Sequence, residues 1–116
     1  MSSIAYDYEQ GKGVTQDYVE AMRWYRKAAD RDDARAMWSV GHLFELGQGV
    51  AQDYAEAMRW YSKAADRGDT LAMWSIGMLY EYGHGLPTDD AQARVWIKKA
   101  AASGFVPANM WLTDHP

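Results

Sequence analysis

The sequence predicts an all-α chain, a solenoid of helix-turn-helix units with a 36-residue period and about seven helices. Three observations carry this. Residues 14–31 read VTQDYVEAMRWYRKAADR and residues 50–67 read VAQDYAEAMRWYSKAADR, identical at fifteen of eighteen positions. Ala36-Met37-Trp38-Ser39-Val40-Gly41 returns as Ala72-Met73-Trp74-Ser75-Ile76-Gly77. The glycine pairs Gly11/Gly13, Gly47/Gly49 and Gly83/Gly85 keep the same period. A looser third copy occupies residues 86–101. The period divides a single repeat domain, 1–116, into an N-terminal partial unit at 1–32 and full units at 33–68 and 69–104. A half-unit and tail follow at 105–116.

The first helix of each full unit falls at about 34–46 and 70–82. Residues 3–10 read as a shortened copy and 106–113 as a terminal one. Asp33 and Asp69 stand where a carboxylate satisfies free N–H groups at a helix start. Gly41 and Gly77 fall mid-helix, where glycine costs about 1 kcal/mol relative to alanine. Their recurrence predicts close approach of a neighbouring helix. The second helix starts at Asp17, Asp53 or Asp89. Each stands three residues before Glu20, Glu56 or Gln92, the spacing of a reciprocal capping box. Apolar positions such as Ala57, Trp60, Tyr61, Ala64 and Ala65 recur at helical intervals. Gly68 and Gly104 close this helix where a left-handed cap suits glycine, and Asp32 holds that place in the first copy. One hairpin cannot bury its apolar face alone, whereas three stacked hairpins make a continuous core. Ala28-Ala29, Ala64-Ala65 and Ala100-Ala101 permit close helix approach, and Trp24, Trp60 and Trp96 are expected to fill the larger gaps between layers.

Composition agrees with a folded chain. Apolar residues make up 48%, enough for a core. Net charge is −4 with signs interspersed, and the longest basic clusters are Arg26-Lys27 and Lys98-Lys99. No basic block neutralises a run of phosphates, so nucleic acid is not an expected partner. No apolar run approaches a membrane span, and no membrane partner is expected. Cysteine is absent, which removes disulfides, thiol catalysis and thiolate metal sites. The first residues lack a signal-peptide pattern. The expected location is therefore cytoplasmic, or periplasmic or secreted if the chain is excised from a longer precursor.

The residues from Ala36 through Val40-Gly41, Leu43-Phe44, Gly47, Gly49-Val50, Asp53, Ala57, Trp60-Tyr61 and Lys63-Ala64-Ala65 resemble the Sel-one-like repeat, a relative of the tetratricopeptide repeat. A second copy runs over residues 72–101, so the resemblance covers almost the whole chain. It implies a right-handed α-solenoid whose first helices line a concave face. It also implies an adaptor or scaffold role in bacterial or eukaryotic signalling, secretion or host interaction. Ile97 departs from the family tyrosine, Leu86-Pro87 from its Val-x, and Thr113 from its glycine. The last copy is therefore expected to be an edge. The chain does not resemble the cysteine-rich secreted branch.

If first helices line the concave face, the stripe opposite Ala36, Val40 and Leu43 is the binding candidate. It comprises Arg35, Trp38, Ser39, His42 and Leu46 in one unit, and Leu71, Trp74, Ser75, Met78 and Tyr82 in the next. Tyr6, Met110 and Trp111 extend it. Aromatic residues and Met are enriched at interface cores. Two readings of Trp38 and Trp74 stand: they line the groove, or they pack against the adjacent unit. The expected partner is a protein or peptide; the alternative is self-association through Phe105, Trp111 and Leu112 at one end and Ile4 and Tyr8 at the other. The Gly-x-Gly loops lack the spacing and trailing Lys-Ser/Thr of a P-loop and read as turns. His42, His84 and His115 show no metal-ligand spacing, and no metal or cofactor is expected. Glu45 and Glu81, like Glu20 and Glu56, read as solvated or capping carboxylates. Asp114-His115 reads as a dyad in a tail. No unique constellation supplies a catalytic mechanism, so no enzyme activity is expected.

Overall fold

A computed structural model describes residues 2–83 and 87–116, without the side chain of Ser2. His84, Gly85 and Leu86, named in the third loop and the third copy, lie outside the described residues. The described residues form seven helices and no strand: α1 (Ser2–Gln10), α2 (Tyr18–Asp30), α3 (Ala34–Leu46), α4 (Tyr54–Asp66), α5 (Thr70–Tyr82), α6 (Asp90–Ala102) and α7 (Val106–Asp114). Each helix packs mainly on its neighbours in sequence, giving a stack of 45 × 27 × 23 Å. Among the described residues, no helix is long and apolar enough to cross a membrane.

The caps explain the boundaries. Asp17, Asp53 and Asp89 have extended backbones, and their carboxylates accept from Glu20, Glu56 and Gln92 N–H respectively. The reciprocal half of the expected capping box is not what the structure shows. The cap residue's own N–H instead donates to the preceding first helix: Asp17 to Tyr8 O at 2.8 Å, Asp53 to Phe44 O at 2.9 Å, Asp89 to Tyr80 O at 3.0 Å. A backbone carbonyl thus occupies the place a glutamate would take, and it ties the hairpin together. Glu20 and Glu56 turn outward to Arg23 and Arg59.

Between hairpins, Asp33 and Asp69 cap α3 and α5 through Ala36 and Ala72 N–H. Asp32 takes the left-handed conformation with φ 72°, as glycine does at 68 and 104. Its carboxylate meets Arg67, one layer on.

The core runs through the stack as Ala21, Tyr25, Ala36, Val40, Leu43, Ala57, Tyr61, Ile76 and Leu79, then continues around Ala93, Ile97, Ala100 and Ala108. The mid-helix glycines sit where helices touch. A β-carbon on Gly41 would lie 2.8 Å from the Tyr61 ring, and one on Gly77 2.8 Å from Ile97 Cγ1. Trp24, Trp60 and Trp96 are half-buried and flank the core rather than lying within it. Lysine ammonium groups cover their outer faces: Lys27 at 4.5 Å, Lys63 at 4.4 Å and Lys99 at 4.3 Å from the ring centres. The lysine three residues on lies over the same helix face.

Candidate protein-binding groove

The first helices carry two cavities related by the repeat. The larger, about 550 Å³, is lined by Ser3, Tyr6, Glu9, Tyr25, Arg35, Ala36, Trp38, Ser39 and His42. The smaller, about 240 Å³, is lined by Trp38, His42, Glu45, Leu71, Trp74, Ser75 and Met78. Shifted by 36 residues, Tyr6, Glu9, Arg35, Trp38, Ser39 and His42 become His42, Glu45, Leu71, Trp74, Ser75 and Met78. Trp38 and His42 line both cavities, so the two lie side by side and together form a groove along α1, α3 and α5. One period before Trp38 the sequence carries Ser2, a small residue at the register that walls the smaller cavity.

The structure brings nine of the thirteen candidate residues to this groove: Tyr6, Arg35, Trp38, Ser39, His42, Leu71, Trp74, Ser75 and Met78. Leu46 and Tyr82 are exposed at the ends of their helices, outside both cavities. Met110 is exposed on α7. Trp111 is half-buried beneath Arg94 and stacked on His115 at 3.9 Å. His115 Nδ1 lies 2.8 Å from Trp111 O, and Asp114 is the last residue of α7, so the supposed tail dyad belongs to a helix end.

Several groove residues also hold the layers together. Trp38 stacks on His42 at 4.6 Å and lies 6.4 Å from the Tyr61 ring, and its Nε1–H donates to Ser75 Oγ at 2.9 Å. Trp38 thus reaches the next unit through Ser75 and also lines both cavities. Trp74 rests on Phe105 at 5.7 Å. Arg35 Nε donates to the buried Asp69 carboxylate at 3.0 Å while its side chain stays largely exposed. Ser39 is buried and donates to Arg35 O.

The sequence reading missed the tyrosine–carboxylate bonds at the groove, where Glu9 and Tyr25 line the larger cavity and Glu45 the smaller. Tyr25 donates its hydroxyl to Glu9 Oε1 at 2.6 Å, and Tyr61 donates to Glu45 Oε1 at 2.5 Å. Glu45 is thus not a solvated or capping carboxylate but half-buried at the groove. Burial, and then the bond to a carboxylate, push both phenols well above their ordinary range; Ser39 and Ser75 act weakly against this. The signal was present as a Glu-to-Tyr separation of sixteen residues, kept at 9/25 and 45/61 and broken where Ile97 faces Glu81. Among the described residues, no group of three or more His, Cys, Asp and Glu side chains could hold a metal ion.

Stacked helical hairpins with a side-chain groove along one set of helices define an α-solenoid repeat protein. The Sel1 repeat model matches residues 1–33, 34–69 and 70–105. The chain belongs to the Sel1 repeat family, whose members generally act as protein-interaction scaffolds and are typically non-catalytic. It is similar to a Sel1 repeat protein from Oxalobacter formigenes, at 36% identity and TM-score 0.86, over 92% of this chain and 44% of that one. It is similar to c5321, a protective antigen of uropathogenic Escherichia coli with an SLR fold, at 36% identity and TM-score 0.86, over 92% of this chain and 23% of that one. The chain therefore spans less than half the length of either. Helicobacter pylori cysteine rich protein B shares the fold at 21% identity and TM-score 0.75, over 91% of this chain and 86% of that one. Among the curated proteins, none matches the chain.

Proposed function

We propose that the chain is a binding module that holds an extended segment of a protein partner in the groove of α1, α3 and α5. The observation that carries this is the pair of cavities that share Trp38 and His42. Leu71, Trp74 and Met78 supply half-buried apolar and aromatic surface, the composition of interface centres. Repetition at one period suits a segment that crosses successive layers and meets similar walls at each.

Selection of displayed peptides on the immobilised chain supplies a ligand and tests the reading. Met78→Ala and Leu71→Ala are expected to weaken the selected peptides by about fivefold or more, the scale of truncating a contact at an interface centre. Arg59→Glu, on α4 and outside both cavities, is expected to bind as wild type. Peptides lost with Arg59→Glu and kept by the groove variants would overturn it.

A second reading has its own observation. Val106 and Met110 on α7 are each 63% exposed, and Ile4 on α1 is 41% exposed, so copies could associate through their ends. Thr113 opposes an in-register continuation, because it stands where Gly41 and Gly77 admit a close helix. Light scattering separates the readings: a mass independent of concentration rejects self-association.

A further inference from the structure

Four carboxylates have a cationic partner on the same or a neighbouring layer: Glu20 with Arg23, Asp69 with Arg35, Glu56 with Arg59 and Asp32 with Arg67. Glu9 and Glu45 differ. Each is half-buried and lines the groove, and each has Oε1 engaged by a tyrosine hydroxyl. Among the described residues, no lysine, arginine or histidine forms an ion pair with either. A carboxylate in such surroundings has lost part of its hydration, and a charged donor compensates this better than a neutral one.

The two positions are not equivalent. The Glu9 cavity already contains a cationic side chain, Arg35, which stays largely exposed although its Nε is engaged by Asp69. At that register the Glu45 cavity has Leu71. Its other walls are Trp38, His42, Trp74, Ser75 and Met78; the rings and the thioether suit the methylene stem of a long side chain, while the carboxylate and the ring faces receive its head.

We infer that the Glu45 cavity takes a basic side chain, lysine or arginine, from the protein segment lying in the groove. This rests on the groove being the binding face. An acidic anchor would face Glu45 directly, and an aliphatic one would strip its remaining water without supplying a donor. The net charge of −4 favours approach of a basic segment.

The test is a titration of the isotope-labelled full chain, read at its tryptophan indole N–H resonances. The probes are Nα-acetyl-arginine amide and Nα-acetyl-lysine amide, against the neutral Nα-acetyl-citrulline and Nα-acetyl-norleucine amides. The cationic probes are expected to shift Trp38 and Trp74 saturably and to bind about fivefold or more tighter than the neutral ones, a modest gain for a partly solvated charge pair. Glu45→Gln keeps an acceptor for Tyr61 and is expected to remove that preference. Glu45→Asp keeps the charge and is expected to retain part of it, and Glu56→Gln, outside the groove, all of it.

The inference is overturned if the neutral probes bind as tightly, if Glu45→Gln leaves the preference intact, or if no probe shifts those resonances. Failure of the underlying groove reading looks different: a selected peptide would then shift only tryptophans outside the cavities.

Discussion

The α3–α4 and α5–α6 hairpins share one plan and diverge at its centre. In the first, the buried Tyr61 ring lies over Gly41 and its hydroxyl reaches Glu45, one turn further along α3. In the second, Ile97 lies over Gly77 in the same way and has no hydroxyl to offer Glu81. The glycine is therefore a packing requirement that holds whether the facing residue is aromatic or aliphatic. The tyrosine–carboxylate bond is a separate feature, and it accompanies the groove at Glu9 and Glu45. The first hairpin adds a variation: α1 carries Ala5 at the glycine register, fully buried in the same core cluster as Tyr25.

Converting one hairpin into the other is the strongest way to break this comparison. Tyr61→Ile removes a fully buried ring and strands a half-buried carboxylate, with an expected loss of about 2–4 kcal/mol by urea unfolding. A loss below that of Ile97→Val would mean that the tyrosine is not central to the hairpin.

Gly41→Ala comes next. Its β-carbon would meet two ring atoms at 2.8 Å and Ala57 O at 3.1 Å. The overpacking, offset in part by better helix propensity, is expected to destabilise by about 1–2 kcal/mol. Gly77→Ala is expected to cost less, because it meets one Ile97 carbon at that distance. Equal or reversed costs in thermal melts would contradict the packing account.

Tyr61→Phe isolates the hydroxyl, at an expected cost of about 1 kcal/mol. It also changes the pH response. A phenol whose folded pKa is raised contributes stability that is fully present below the unfolded value near 10 and is lost as pH rises beyond it. The wild type should therefore lose stability above about pH 10, with Tyr25 and Tyr61 ionising as the fold opens. Tyr61→Phe should show a shallower alkaline slope, read by tyrosinate absorbance during urea titrations.

The smallest effect is expected at Asp32→Gly. Glycine relieves the left-handed backbone at φ 72° but gives up the exposed Arg67 pair. Each contribution is about 1 kcal/mol or less, so the net change should stay within about 1 kcal/mol.

What the sequence made legible was mostly local. The caps at Asp17, Asp33, Asp53, Asp69 and Asp89 act within three residues, and the helices begin where those aspartates stand. The mid-helix glycines were legible because their cost calls for a reason. The layer-to-layer ties were not: Trp38 to Ser75 and Arg35 to Asp69 join residues thirty-seven and thirty-four apart. Periodicity says which residues share a helix face and nothing of how deep each lies. Trp24, Trp60 and Trp96 show the consequence, being half-buried beneath lysines that three-residue spacing would have revealed. Of the candidate stripe, nine residues line the groove. The four outside it lie on α7 or at helix C-termini, where the stripe passes beyond the cavities.

The central claim is that a partner lies along α1, α3 and α5. The chain carries its own reporters, because its six tryptophans divide between the groove, the second helices and α7. One indole N–H spectrum, recorded before and after adding a selected peptide ligand, reads the covered face directly. The account predicts that Trp38 and Trp74 shift while Trp24, Trp60 and Trp96 stay in place. Shifts confined to Trp24, Trp60 and Trp96, or to Trp111, would contradict it.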